Sequence, residues 1–259
     1  MSVLVGLEGS GHHYLGQAVS DMFNSNDEIS ETTTPCIDIG AYYTKISMES
    51  SPYAYSCLCK HAREDMQNLA LREQSLPWPG HLTHLCSEQS YPSGNGANKV
   101  VHYVDLRMLV EIAEEEGVDL RVVYLKRSAH DLLVANTVHR GFQETIGLDV
   151  NTTASDQRFT EYSLILLTNA AVVHSFLSEI DPAFVVCHDF AHAGEEEQAA
   201  TVSNFVAPNS VMAEMFKTSL LRAWTEHSSQ WEELSFDGAE AVASRLQQKL
   251  DAFEPLYCG

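Results

Sequence analysis

The residues best suited to chemistry form a glycine-rich turn, GLEGSGHH, from Gly6 to His13. An apolar run precedes the turn and a helical pattern follows it. In this order, backbone N–H groups and the helix dipole can hold a phosphate, and glycines let the backbone approach it. Gly6 and Gly11 enclose four residues, as in a P-loop, but His12 and His13 stand where nucleotide hydrolases carry Lys and then Ser or Thr. The turn therefore predicts a phosphate site without metal-assisted hydrolysis of ATP or GTP; the alternative is an ordinary tight connection.

A second cationic element, Lys126 and Arg127, follows an apolar run at 120–125. The planar guanidinium of Arg donates two hydrogen bonds at once to a phosphate. The chain is otherwise acidic, with 36 Asp and Glu against 15 Lys and Arg and a formal net charge of −21. This charge disfavours nucleic acid, acidic glycans and anionic membranes as partners and makes a local cationic cluster informative. A surface ion pair is the alternative role for Arg127.

Strands alternate with helices along most of the chain. Apolar runs predict buried strands at 2–5, 120–125 and 183–187, and helical patterns lie at 106–116, 131–138, 161–177, 194–206, 210–225 and 238–253. The alternation predicts an α/β fold, a three-layer sandwich whose central parallel sheet is covered by helices on both faces. Because ligands bind at the carboxyl ends of such strands, we expect the loops after the three strands to face one cleft.

A single domain, 1–259, is expected from the chain length. Polar residues and Pro- and Gly-rich breaks predict that the region 24–98 is irregular and shapes a pocket for an acceptor. No stretch approaches the roughly 20 apolar residues of a membrane helix, and the first residues lack the pattern of a signal peptide. We therefore expect a cytoplasmic protein without a membrane partner, its six cysteines kept reduced.

Thiol and imidazole side chains form two short groups that could hold zinc. The spacing argues against this, because Cys-x-Cys is tighter than the usual gap of two to four residues. We expect no metal, with buried thiols and surface histidines instead. The residues concerned are Cys57, Cys59, His61, His81, His84 and Cys86.

The order of these elements resembles the sulfotransferases that use 3′-phosphoadenosine 5′-phosphosulfate (PAPS). Their first loop follows strand one and holds the 5′-phosphosulfate, and a later strand ends in an Arg that binds the 3′-phosphate. Here GSGHH stands at the first place and VVYLKRSAHDLLVANTVHR at the second. The preceding run LVEIAEEEGVDL and the later FVVCHDF are similar to further family segments. The resemblance implies a P-loop NTPase-like topology and PAPS as cofactor.

The resemblance also implies site residues. Arg127 matches the family Arg, while the family's Ser falls on Ala135, so that Asn136 takes the hydrogen bond to the 3′-phosphate or Thr137 does. In the first loop the family's basic residue is replaced by glycine and its two hydroxyl residues by histidines. The residues that match the loop are Gly9, Ser10, Gly11, His12 and His13.

Transfer of the sulfuryl group needs a base that takes the acceptor's proton. In the cytosolic sulfotransferases that base is a His before the helix that leads to the Arg strand. His102, 25 residues before Arg127, occupies that place, and Glu88 and Glu8 are the alternatives. The expected activity is sulfuryl transfer to a hydroxyl or amine of a small-molecule or glycan acceptor. The alternatives are a non-catalytic nucleotide-binding protein of the same fold and a P-loop kinase, which the missing Lys disfavours.

Overall fold

The computed structural model describes residues 2–7, 11, 14–16, 18, 63–64, 66–67, 85–91, 93–95, 100–102, 106–134, 156–207, 209–228, 239–253 and 258. Between 85 and 102, from 156 to 165, and at 239 and 242 the description concerns the backbone alone.

Four parallel strands form the main sheet of the described part, in the order β2-β1-β5-β6. A separate antiparallel pair is formed by β3 and β4. The strands are β1 Ser2–Leu7, β2 Leu85–Tyr91, β3 Ser93–Asn95, β4 Val100–His102, β5 Arg121–Lys126 and β6 Val185–Asp189.

Helices follow most of these strands. Helix α1 ends at Glu116, beside Gly117 with a φ of 70°, a conformation that favours glycine. The labelled α-helices are α1 Leu106–Glu116, α2 Ala129–Val134, α3 Asp156–Leu177, α4 Glu196–Val206, α5 Ser210–Ser228 and α6 Ala239–Leu250. Residues 14–16 and 18 are also helical.

Side chains alternate across the main sheet and build an apolar layer on each face. Val3, Val5 and Val122 pack with residues of α1, α3 and α6 on one face, which we call the α1 face. Leu4 and Val123 pack with α4 and α5 on the opposite face, the α5 face. All five side chains are fully buried, as in a parallel sheet covered on both sides. The predicted mixed α/β fold around an open parallel sheet is confirmed.

The chain leaves β1 and β5 toward opposite faces. Tyr14 and Leu15, in the helical segment after β1, belong to the layer on the α5 face. Leu132 and Leu133 of α2, after β5, belong to the layer on the α1 face. The carboxyl ends of β1 and β5 are therefore the topological switch point of the sheet, the place where open α/β sheets bind ligands.

The predicted irregular region 24–98 includes a strand of the main sheet. Strand β2 runs parallel to β1, with Glu88 opposite Leu4 and Tyr91 opposite Leu7. Its sequence, LCSEQSY, lacks the β-branched run that marks a buried strand. Among the described strands β2 pairs with β1 alone, and an edge position tolerates such a polar sequence.

A disulfide joins Cys187 of β6 to Cys258, with a Cα–Cα distance of 5.2 Å. This corrects the expectation that all six cysteines are reduced. The bond spans 71 residues, and closing a loop of that size stabilises a fold by about 4 kcal/mol in the chain-entropy model. Disulfides are rare in the cytosol, and the expected cytoplasmic location stays a prediction. None of the described helices combines the length and apolar character needed to cross a membrane.

Candidate functional site

Three loops meet at the carboxyl edge of the sheet, and they do so through one aromatic ring. Phe190 follows β6 directly, and its side chain is 1% exposed. The guanidinium carbon of Arg127, after β5, lies 4.3 Å from the ring centroid. Gly11, after β1, approaches the same ring, because a Cβ built there would lie 2.6 Å from Phe190 Cε2. The convergence expected of the three loops is thus present in the described part of each.

Gly11 lies immediately before the helical segment that follows β1. Its φ of 100° lies in the region that favours glycine, and the N–H of Leu15 donates to its carbonyl at 3.3 Å. That bond makes Gly11 the residue that caps the following helical segment. Glycine is required here twice, by the backbone conformation and by the closeness of the Phe190 ring.

Burial sets the electrostatics of Arg127. Loss of water lowers the pKa of its guanidinium to about 10, and the nearby carboxylate of Asp131 acts in the opposite direction. The side chain therefore stays charged at neutral pH while much of its hydration is already removed. Such a group is suited to binding an anion, since the cost of desolvating the cation is met on folding.

The neighbouring Lys126 is engaged differently. Its Nζ lies 3.1 Å from Oδ2 of Asp189. The other carboxylate oxygen of Asp189 accepts the N–H of Ala191 at 3.0 Å and caps the short turn that carries Phe190. Asp189 therefore neutralises Lys126 and fixes the start of the turn in which the Phe190 ring is held.

A reciprocal cap orders the start of α2. The hydroxyl of Ser128 accepts the N–H of Asp131 at 3.1 Å and donates to its Oδ2 at 2.7 Å. From α6, Oε1 of Gln247 accepts the N–H of Ala129 at 2.7 Å. These bonds fix the backbone immediately after Arg127.

A small cavity adjoins Arg127 on the α1 face. Its volume is about 30 Å³. A space of that size holds one or two waters but not a nucleotide. A nucleotide at this edge would have to lie outside the cavity. The residues that line the cavity include Leu7, Tyr124, Leu132, Gln247 and Phe253.

Behind the ring of Phe190, buried polar and aromatic groups pack together on the α5 face. Tyr14 stacks near-parallel with His188 at 5.8 Å and with His227 at 6.1 Å between ring centroids. Trp224 meets the Phe190 ring edge-on at 4.8 Å. Among the described groups, the Tyr14 hydroxyl and both His188 ring nitrogens have no hydrogen-bond partner.

Desolvation dominates the ionisation of these two buried groups. It raises the pKa of the Tyr14 phenol well above its ordinary value. It lowers the pKa of His188 from 6.5 to about 4, against the smaller opposing effect of Asp189. His188 is therefore neutral at physiological pH, and protonating it in the folded chain is costly.

The predicted site residues are described to different extents. Gly11 and Arg127 are brought together through Phe190, as stated. His102 ends β4, where its backbone lies opposite Ser93 in the antiparallel pair, apart from the main sheet. Outside the described residues lie Gly9, Ser10, His12, His13, Asn136, Glu8 and Thr137.

The alternative base Glu88 lies midway along β2, opposite Leu4 of β1 and not at the carboxyl end of the strand. Of the residues weighed for zinc, Cys86 belongs to the β2 backbone, and the others lie outside the described residues. In the part of the chain that the structure describes, no three His, Cys, Asp or Glu side chains are grouped as metal ligands.

Sequence reasoning missed Phe190 and Asp189 as site residues. An apolar residue after a buried strand is ordinarily part of the core, and Phe190 is indeed buried there. The available signal was position, because Phe190 follows β6 as closely as Arg127 follows β5.

Comparison with known proteins adds no relative. No protein-family model, curated protein or solved structure matches this chain.

We expect His188 to make the fold acid-sensitive. As pH falls from about 6.5 to about 4, the unfolded chain takes up a proton at this residue and the folded chain does not, so stability falls by ~3 kcal/mol. The His188→Phe variant lacks this contribution. In urea unfolding between pH 4 and 7.5, the stability of wild type minus that of the variant should therefore rise with pH.

The exposed His192 provides the control. Its hydrogen bond to Glu195 raises its pKa, so its contribution is present at low pH and is lost as pH rises. The wild-type minus His192→Gln difference should therefore decline with pH. A pH-independent difference for His188→Phe would mean that His188 is not held neutral in the fold.

Proposed function

We propose that this protein is a PAPS-dependent sulfotransferase with a P-loop NTPase-like, three-layer topology. The observation that carries the proposal is the meeting of the Gly11 turn and Arg127 at the switch point of the parallel sheet, through contacts with Phe190. A glycine turn at a helix start is suited to one phosphate group, and a guanidinium at the neighbouring strand end is suited to a second. A nucleotide with phosphates at both ends of its ribose matches that pair.

The roles of the residues are those that the resemblance to the sulfotransferases implies. Backbone N–H groups of the turn bind the 5′-phosphosulfate, with His12 and His13 as donors, and Arg127 binds the 3′-phosphate together with Asn136. His102 takes the proton of the acceptor's hydroxyl or amine. PAPS, when bound, supplies the sulfuryl group and leaves as adenosine 3′,5′-bisphosphate. The acceptor is a small molecule or a glycan.

The second candidate is a protein that binds the nucleotide without transferring its sulfuryl group. Two observations favour it. Glycine occupies position 9, where the family loop has a basic residue. Lys126, a neighbouring cation, forms an ion pair with Asp189. Turnover with PAPS separates the two candidates, because both require binding.

The protein should bind adenosine 3′,5′-bisphosphate without metal and more tightly than ATP, because the turn lacks the hydroxyl that holds Mg²⁺ in P-loop NTPases. Calorimetric titration of both nucleotides in EDTA, and again with Mg²⁺, measures this. Tighter ATP binding that depends on Mg²⁺ would reject the proposed function.

Replacing Arg127 by Ala should weaken binding of adenosine 3′,5′-bisphosphate by roughly 2–4 kcal/mol, through loss of a charge-assisted contact. Affinity for adenosine 5′-phosphate should hardly change. Arg121→Ala is the matched control, because Arg121 begins the strand after which Arg127 follows. Equal losses for both ligands would assign Arg127 a purely structural role.

Turnover should depend on His102 more than binding does. If His102 is the base, His102→Ala lowers kcat by about 10²–10⁴-fold with nearly unchanged nucleotide affinity. The wild-type rate should rise with pH as this imidazole loses its proton, since only the neutral form accepts one. Full activity with an unchanged pH profile would move the role to Glu88. Binding without transfer to any acceptor of a broad panel would favour the non-catalytic candidate.

A further inference from the structure

Asp189 holds the start of the turn that carries Phe190 through both of its carboxylate oxygens. Oδ1 of Asp189 accepts the N–H of Ala191 at 3.0 Å, and its Oδ2 lies 3.1 Å from the ammonium of Lys126. The ring is buried and meets Trp224 edge-on at 4.8 Å between centroids and Tyr14 at 5.9 Å. Phe190 is therefore a fixed surface against which other groups can be placed.

The contact of this ring with Arg127 is shorter than two other Arg–Phe contacts of the described residues. The guanidinium carbon of Arg127 lies 4.3 Å from its ring centroid, whereas the Arg121–Phe205 and Arg107–Phe176 pairs are separated by 5.2 Å. Cation–π attraction is stronger when the cation is desolvated, and burial lowers the pKa of the Arg127 guanidinium.

The same ring limits the glycine turn. A Cβ at Gly11 would lie 2.6 Å from Cε2 and 3.1 Å from Cδ2 of Phe190, so the backbone at Gly11 rests directly on the ring. Gly11 and Arg127 come from different strands and touch one aromatic side chain. The spacing between the turn and the guanidinium is thereby set by Phe190.

We propose that Phe190 is the positioning residue of this site, holding the Arg127 guanidinium and the Gly11 turn at the spacing that a doubly phosphorylated nucleotide requires. The inference rests on the proposed function for its ligand, while the coupling of Phe190 to Arg127 is a property of the chain itself. Phe190 does not contact the reacting atoms. It acts by preorganisation, because a long Arg side chain that is already ordered loses less freedom on binding.

The binding experiment compares Phe190→Leu with Phe205→Leu. Each variant removes the ring from an Arg–Phe pair. Arg121 of the control pair begins β5, whereas Arg127 follows the other end of that strand. Phe190→Leu should weaken adenosine 3′,5′-bisphosphate about 5- to 30-fold, the range of a desolvated cation–π contact. It should weaken adenosine 5′-phosphate much less, because Gly11 keeps its hydrogen bond from the N–H of Leu15 whereas Arg127 loses its ring contact. Phe205→Leu should leave both affinities unchanged.

The ratio of the two affinities is the decisive readout. General loosening of the fold would weaken both nucleotides equally and leave the ratio unchanged. A displaced Arg127 changes the ratio, because it acts on the 3′-phosphate. Phe190→Tyr, which keeps the ring, should restore most of the ratio. An unchanged ratio in Phe190→Leu would overturn the proposal.

A second experiment needs no ligand. Urea unfolding of wild type, Phe190→Leu, Arg127→Met and the double variant forms a double-mutant cycle. If the ring holds the guanidinium, the double variant's unfolding constant is about 5- to 30-fold smaller than the product of the two single effects predicts. Additive effects would overturn the positioning role. Coupling without nucleotide binding by wild type would leave Phe190 as the holder of Arg127 and reject the proposed function instead.

Discussion

The contact between the Arg127 guanidinium and the Phe190 ring is the interaction on which the carboxyl edge of the sheet depends. Removing a guanidinium from water is costly, and the negative face of an aromatic ring offsets part of that cost. The ring can do so only because the turn after β1 leaves space for it, which is why glycine stands at position 11. The Arg127 guanidinium, the Phe190 ring and the Gly11 backbone each follow a different strand, and their positions are thus mutually dependent.

The end of β6 shows how three consecutive residues serve three different partners. Because side chains of a strand alternate, His188 lies on the α5 face against Tyr14, and Asp189 reaches Lys126 from the neighbouring strand. Phe190 follows where the strand has ended. This arrangement leaves the buried imidazole of His188 and the buried phenol of Tyr14 without a hydrogen-bond partner among the described groups. Folds generally satisfy such groups, and exceptions concentrate near functional sites.

The helices and central strands were predictable because buried residues recur with the period of a helix or form a continuous apolar run in a strand. The prediction of a helix at 106–116 is confirmed to the residue. The amphipathic pattern stops at Gly117, and the helix ends beside this glycine. The third strand was predicted at 183–187 but begins at Val185. The first apolar residues of the predicted strand belong instead to a short turn at Pro182–Phe184, which Asp181 caps. Apolar character alone does not distinguish such a turn from a strand.

What the sequence did not reveal depends on distant partners. Strand β2 has a polar sequence and owes its structure to pairing with β1. The Cys187–Cys258 bond joins residues 71 apart, and six cysteines allow too many pairings for spacing to choose among them. Arg127 was found because a cation at a strand end has a chemical meaning without its neighbours. Phe190 was not, because an apolar side chain acquires its role only from what it touches.

Charge explains why the placement of one guanidinium carries so much weight. With a net charge of −21 the chain as a whole repels an anionic ligand, although salt screens that repulsion beyond about 8 Å under physiological conditions. Inside that distance local groups decide, and Lys126 is already neutralised by Asp189. For the proposed function, recognition of a second phosphate then depends on where the Arg127 guanidinium lies. A cation on a long flexible stem gives little discrimination between ligands, whereas one held against a buried ring favours the ligand whose charge falls at that point. If the proposed function holds, selectivity for a doubly phosphorylated nucleotide in this acidic protein is therefore a matter of packing as much as of charge.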